Sequence, residues 1–555
     1  MKDIIRKVVA IHPSRDLLDE KFLTSLANLM PVQFVSCPNL TEIAADAIIY
    51  VSEEDTALSI LRVSNLPSLC FKNIRCNRAL QQSNTTIEFG DSKYLDRRLR
   101  RRRISHDPLT PPVSFQVESG DEVLAKSGDA PAWIIRKSGG SVLNILLVPP
   151  PTLEPNERVF DYLNGSRFFQ LLPLFHFLRR LTQEIDWARP PLRACLMFDD
   201  PNLHWPSYGF LDYNELLQHS ISHSYHVAIA TIPRDAWGCH AETVQLFKRS
   251  PQQLSLVIHG NDHTKAELAQ KLSVEAYVQL LAQALRRVKR LERMTGLNVA
   301  RVMAPPHGAY SNEAVTAMSL LGFSGMCIST GSLRRWNSNA DLPLTFGLEI
   351  GETLSCGFPT IPRFRLSSSC EGEIVISAFM DRPIIAVGHH QTVAGGLELL
   401  ADVSANIDSL GNVCWQSPEM MFRSNYLARR NNDTLHISPY SRRIRITVPD
   451  GITRLLVEPP IKDPAFRNWA VVPEQNLGNE STGLGFNAAN CITVMPGQII
   501  ECAAVNCGRI AADSIASPSS LSFWPAARKL MSETRDRLDP LIYKLHKVRP
   551  CVLRG

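Results

Sequence analysis

Two histidines, His259 and His263, stand four residues apart in LSLVIHGNDH, directly after an apolar run that ends at Ile258. Imidazoles at i and i+4 on a first helical turn share a face and can hold one ion. Asp262, between them, is then turned away from that ion. The same pair can equally be two histidines in the turn that leaves a buried strand, so spacing alone leaves both readings open. Upstream, RACLMFDD ends in adjacent carboxylates, Asp199 and Asp200. Neighbouring side chains diverge at a strand end, so one carboxylate can bind a cation while the other takes a proton. The blander reading is a helix N-cap beside a surface charge. Downstream, VMAPPHG makes a rigid turn at Pro306 and His307 that can present a backbone N–H, and IIAVGHH ends in His389 and His390. Taken singly these are a turn and a pair of loop histidines. His204 and Trp205 follow the aspartates and suit a sugar subsite, by hydrogen bonding and stacking, or fill a loop.

The elements that must position these residues follow from hydrophobic period. RACLMFDD, HVAIATIP, LSLVIHG, VARVMAPP, FSGMCIST and PIIAVGHH are short apolar runs, each ending in polar or turn-forming residues. Between them lie amphipathic helical stretches, the longest being VEAYVQLLAQALRRVKRLERMTG, which stops at Gly296 as at a C-cap. Five or six parallel strands alternating with helices fit a closed or partly closed (β/α) barrel, whose active site lies at the strand C-terminal ends. All four motifs fall at such ends.

Together the motifs resemble the NodB-type polysaccharide deacetylases. Asp199-Asp200, then His259-x-x-x-His263, then a Pro-Pro-x-Gly turn, then a late strand ending in histidine occur in that family's order, over about residues 190–400. The resemblance implies a distorted (β/α)7 barrel that holds one divalent metal, most commonly Zn2+, and removes acetyl groups from N- or O-acetylated sugars or glycans. It assigns Asp199 as catalytic base, Asp200, His259 and His263 as metal ligands, and His389 or His390 as the acid that protonates the leaving group. A backbone N–H near His307 would help hold the oxyanion. The sequence departs from the pattern at several places. Pro201-Asn202 replaces Gly-Pro, Gly260 replaces a serine or threonine, and His307 replaces an aromatic residue. Ala304 occupies the slot of the arginine that orients the base; Arg301 is the nearest arginine to it. The competing reading is a catalytically impaired carbohydrate-binding or assembly protein that kept the barrel. A glycosidase has no second isolated carboxylate pair to support it.

The chain of 555 residues is long enough for several cores. Residues 1–185 alternate strands and helices as an open α/β domain of flavodoxin-like layout, without a Cys elbow, GxGxxG or Walker loop. The barrel spans 190–415, a small antiparallel β-domain 423–513, and a linker with a basic helical tail 514–555. Six arginines in Arg97–Arg103 offer a phosphate patch or a solvated loop. With no aromatic residue interleaved and a net charge of only +5, no nucleic-acid partner is expected. No apolar run reaches the roughly 18 residues that span a bilayer, so no integral membrane segment is expected. Thirteen cysteines without CxxC pairs, and no export signal, read as reduced thiols in the cytoplasm.

Overall fold

The computed structural model describes residues 6–39, 44–52, 66–72, 85–106, 117–138, 141–153, 157, 159–163, 167–337, 342–354, 357–458, 468–472, 490–505, 510–516 and 524–548. The chain divides into two compact units. One comprises Met1–Ala188, Pro343–Glu349 and Glu371–Met380, and the other comprises Arg189–Leu342, Ile350–Cys370 and Asp381–Gly555.

The first unit is built on one nine-stranded sheet. Its strands are β1 (Lys7–His12), β2 (Val32–Ser36), β3 (Ala47–Ser52), β4 (Ser68–Lys72), β5 (Thr85–Phe89), β6 (Arg103–His106), β7 (Glu122–Ser127), β8 (Ala130–Ser138) and β9 (Ser141–Leu146). Their order is β2-β1-β3-β4-β9-β8-β7-β5-β6, parallel through β9 and antiparallel beyond it. The 2-1-3-4 half is the doubly wound order of flavodoxin-like sheets. Helix α1 (Glu20–Leu29) starts at Asp19, whose carboxylate accepts from the Lys21 amide, and it buries Phe22, Leu23 and Leu26. Helices α2 (Val159–Leu163) and α3 (Leu172–Thr182) complete the described α-helices before residue 188. Arginines of the run have partners: Arg98 donates to the Ala378 carbonyl at 2.5 Å, and Arg101 and Arg103 pair with Asp91 and Glu88 while staying largely exposed.

In the second unit, β10 (Leu192–Asp199) is buried along its whole length, as a parallel strand covered on both faces must be. After the hairpin of β11 (Ser207–Tyr208) and β12 (Leu211–Asp212) come β13 (Val227–Thr231), β14 (Leu254–Ile258), β15 (Val299–Met303) and β16 (Gly325–Ser329). Then follow β17 (Glu352–Thr353), β18 (Pro359–Arg365), β19 (Ile384–Gly388) and β20 (Val413–Trp415). Strands β13-β14-β15-β16-β18-β19-β10 run parallel, and β10 pairs back onto β13, closing a barrel of seven strands. Strand β18 was not among the six expected runs, and it carries Pro359 and Pro362, residues uncommon in a central strand. Small and mid-sized side chains fill the interior, among them Cys195, Met197, Ala228, Val302, Ala304, Cys327 and Ile361.

Outer helices α4 (Tyr213–Ser222), α5 (Ala241–Arg249), α6 (Val274–Thr295), α7 (Asn312–Leu320), α8 (Thr330–Trp336), α10 (Glu398–Asp408) and α11 (Pro418–Arg423) belong to this unit; α9 (Glu371–Phe379) belongs to the first. Helix α6 begins at Ser273, which caps the Ala276 amide, and ends at Gly296 with φ of 70°. Its inward stripe of Tyr277, Leu281, Leu285, Val288 and Leu291 is buried, and each such side chain contributes roughly 1.5–3 kcal/mol.

After the barrel, strands β21 (Tyr426–Asn431), β22 (Thr434–Pro439), β23 (Arg443–Thr447), β24 (Arg454–Val457), β25 (Trp469–Val471), β26 (Cys491–Thr493) and β27 (Ile499–Ala504) form sheets of four and three strands over one apolar core. The pairings are antiparallel except β22 with β24. The expected Ser/Pro linker lies, over 517–523, outside the described residues. The final helix, α12 (Trp524–Val548), contains Pro540.

Candidate active site

The C-terminal ends of β10 and β14 meet where the barrel opens. The Asp199 side chain turns into the barrel and the Asp200 side chain toward the histidines, a divergence completed by a φ of 84° at Asp200. Asp200 Oδ1 stands 3.3 Å from His259 Nε2 and 3.2 Å from His263 Nε2. It is buried and accepts no well-formed hydrogen bond. Ligand atoms about 2.1 Å from an ion at the tetrahedral angle stand about 3.4 Å apart, so the three atoms have the spacing of a shared cation. His259 Nδ1 lies 2.7 Å from the Ala304 carbonyl, which accepts its proton and leaves Nε2 as the lone-pair nitrogen facing Asp200. The residues fit a two-histidine, one-carboxylate metal centre with open positions.

The two histidines do not sit on a helical turn, as the i, i+4 spacing suggested. They lie in a loop with left-handed residues at Gly260 and His263, and one buried carboxylate organises that loop. Glu267 accepts the amide protons of Asn261, Asp262 and His263 at 2.7, 3.1 and 3.1 Å. Burial raises the pKa of Glu267 more than those amides lower it. Asp262 points away from the cluster and binds Arg234 and Arg287 at 2.9 and 2.8 Å. Only a carboxylate four residues beyond His263 marked Glu267 in the sequence.

Asp199 is held by Arg363, from β18. The guanidinium donates to both carboxylate oxygens, at 2.7 and 2.8 Å, with both side chains buried. Arg301 does not take this part, because it pairs with Glu292 at 2.8 Å. Ala304 is fully buried in the same interior cluster as Met197, whose sulfur lies 3.2 Å from the Arg363 guanidinium. The arginine missing at position 304 is thus matched by one entering from the strand that the sequence reading omitted.

Charges follow this geometry. Burial works to raise Asp199, but Arg363, His259 and His389 outweigh it and hold the carboxyl below its usual range. Asp200 is likewise held down, against burial, by His259, His263 and His389. Burial disfavours a charge on His259, yet Asp199 and Asp200 leave its pKa raised. Burial and the neighbouring His259 push His263 down to about 4.

The two late histidines separate. His389 is solvent-accessible, with Nε2 3.7 Å from Asp200 Oδ2. His390 is buried, stacks on Phe210 and lies 3.8 Å from Asp536. His307 is exposed, with φ of 56°, and its ring centroid lies 5.3 Å from that of His263; Pro306 beneath it is buried. His204 is turned onto the Asp235 carbonyl at 2.7 Å and packs against Trp237, while Trp205 and Trp237 are each more than half exposed.

Helix α12 borders this opening. Asn202 donates to Glu533 and Tyr208 to Asp536, each at 2.8 Å, and Gln391 donates to Asp539 at 3.2 Å. Arg537 lies over the Trp205 ring, and Tyr543 meets Phe210 edge-on. The helix therefore braces the two loops that carry Asp200 and His389. Composition marked it as a basic helical tail, but nothing local tied it to the site.

The fold and cluster define a seven-stranded (β/α) barrel with a candidate metal centre at its strand ends. No family model matches the chain, and no curated protein matches it by sequence. Among solved structures it is similar to Agd3, a carbohydrate deacetylase, at 9% identity and a TM-score of 0.49, over 90% of this chain and 98% of that one. It is also similar to a family 4 carbohydrate esterase from Streptomyces lividans in complex with acetate, at 12% identity and a TM-score of 0.24, over 41% and 92%. A family 4 acetyl xylan esterase from Clostridium thermocellum in complex with a cobalt ion matches at 11% identity and a TM-score of 0.25, over 41% and 89%.

Proposed function

We propose that the protein is a metal-dependent hydrolase that removes an acetyl group from an N- or O-acetylated sugar or glycan. The observation that carries the reading is the adjacency of two differently built carboxylates: Asp199 locked by Arg363, and Asp200 aimed at two imidazoles.

Asp200, His259 and His263 would hold the divalent ion, for which Zn2+ suits the nitrogen-rich donor set. Such an ion, when bound, lowers the pKa of its water and polarises an acyl carbonyl. Asp199, kept ionised and oriented by Arg363, accepts the attacking water's proton as general base. His389 reaches the solvent side of the cluster and is the acid for the leaving amine or alkoxide; His390, turned to Asp536, is not placed for that step. Trp205, Trp237 and His307 provide stacking and polar surface for a sugar ring beside the cluster.

The rival reading, a binding protein with an impaired barrel, rested on the arginine missing at Ala304. Arg363 supplies that charge to the same carboxylate. The deciding experiment combines metal analysis with acetate release from acetylated chitooligosaccharides and acetylated xylan. Stoichiometric metal in the wild type, its loss in His263→Ala, and acetate release abolished in Asp199→Asn are expected. Metal without any Asp199-dependent acetate release would favour the binding protein; a wild type that takes up no metal would remove the site.

A further inference from the structure

Helix α12 is amphipathic in an unusual sense. Its barrel-facing side is polar, carrying Glu533, Asp536 and Asp539 into the contacts with Asn202, Tyr208 and Gln391. Its other side is apolar and open to solvent. Leu530 is 70% exposed, Met531 57%, Leu538 45%, Leu541 57% and Ile542 47%. At about 100° per residue these five positions fall within an arc of roughly 120°, so they form one stripe rather than scattered apolar residues. A continuous exposed stripe of this kind marks an interaction surface.

The charge around the stripe indicates what covers it. Residues 524–555 contain eight lysines and arginines against three acidic residues. Those three are Glu533, Asp536 and Asp539, all engaged toward the barrel. The segment is therefore net positive beside an apolar exposed stripe, and Arg535, whose side chain is 69% exposed, pairs with Asp536 at 2.8 Å. A second copy of the helix would bring two net-positive segments together. A surface of anionic lipid headgroups over acyl chains complements both features. No helix among the described residues is long and apolar enough to cross a membrane, and α12, polar on one side, is suited to lie in the interface plane.

We propose that the outer face of α12 is a docking surface for anionic lipid bilayers, so that the barrel opening it braces works at a membrane surface. The stripe enters the headgroup region while the inner face keeps its bonds to the loops of Asp200 and His389. The inference stands on exposure, helical register and charge, and does not require the hydrolase reading.

Co-sedimentation of the full chain with vesicles tests it. Binding is expected with vesicles containing a third phosphatidylglycerol, and on the order of tenfold weaker with pure phosphatidylcholine or in high salt. Leu538→Glu/Leu541→Glu should lower partition on the anionic vesicles by roughly tenfold or more. Its thermal transition and metal content should stay those of the wild type. Met531→Gln/Ile542→Gln gives a milder second pair should the first perturb folding. Absence of sedimentation with anionic vesicles, or sedimentation equal in wild type and both variants, overturns the proposal. So does a wild-type dimer in light scattering that becomes monomeric in the variants while no vesicle binds, which would assign the face to a second copy.

Discussion

Arg363 grips Asp199 through two nearly equal hydrogen bonds, 2.7 and 2.8 Å, inside the barrel and 164 residues along the chain. A planar guanidinium matched to both carboxylate oxygens fixes the direction of the carboxylate as well as its charge. The pair is buried, so each group depends on the other for its ionised state.

Removing one partner should therefore cost more than removing both. Arg363→Met is expected to destabilise the fold by about 3–5 kcal/mol and to lower kcat by about 10²–10⁴, with the metal retained. Asp199→Asn/Arg363→Met should recover part of the stability and none of the activity. Denaturant melts, metal analysis and acetate release separate the two effects; additive stability losses would mean that the residues are not coupled.

The histidine loop has little room. Gly260 has φ of +64°, and a Cβ there would stand 2.1 Å from Glu267 Oε1 and 2.6 Å from Pro306 Cγ. Gly260→Ala should thus displace the carboxylate that holds three loop amides. The expected result is a loss of about 2 kcal/mol or more in unfolding free energy and at least about tenfold weaker metal binding. Titration calorimetry that found unchanged affinity would show that the loop position does not set the histidines.

Proton and metal compete at His259. Its pKa stands above 6.5 in the metal-free fold, so the associated stability is fully present below about pH 6.5 and is lost as pH rises through the folded value. A cation needs Nε2 deprotonated, so the rise in Tm on adding Zn2+ should be small near pH 5.5 and grow toward pH 8. His263, at about 4, is already neutral over that range and does not oppose binding. A zinc-induced shift in Tm independent of pH would contradict this ligand assignment.

The late histidines should separate in function. His389→Ala is expected to keep the metal and the melting temperature while lowering kcat by about 10²-fold, most for substrates with poor leaving groups. His390→Ala opens a gap under Phe210 beside Asp536 and should lower the melting temperature instead. The reverse pattern would exchange their roles.

Hydrophobic period and chain order made six of the seven barrel strands legible, together with the Gly296 C-cap of α6, because buried parallel strands and helix stops leave local signatures. The residues that converge on the candidate centre were legible for the same reason: Asp200, His259 and His263 each follow a readable strand end. The loop geometry was not, because left-handed Gly260 and His263 and the bonds to Glu267 mimic a helical spacing without being helical.

What the sequence by itself determined is the order of strand ends and the kinds of side chain they carry. Tertiary structure alone decided which arginine meets Asp199. Barrel closure brings β18 around to face the end of β10, and that strand carries two prolines, uncommon in a central strand. It also decided that His389 faces the cluster while His390 faces α12, and that a basic tail braces the opening. Such partners are chosen by the closure of a ring and the packing of a helix far along the chain, and neither leaves a trace in residue spacing.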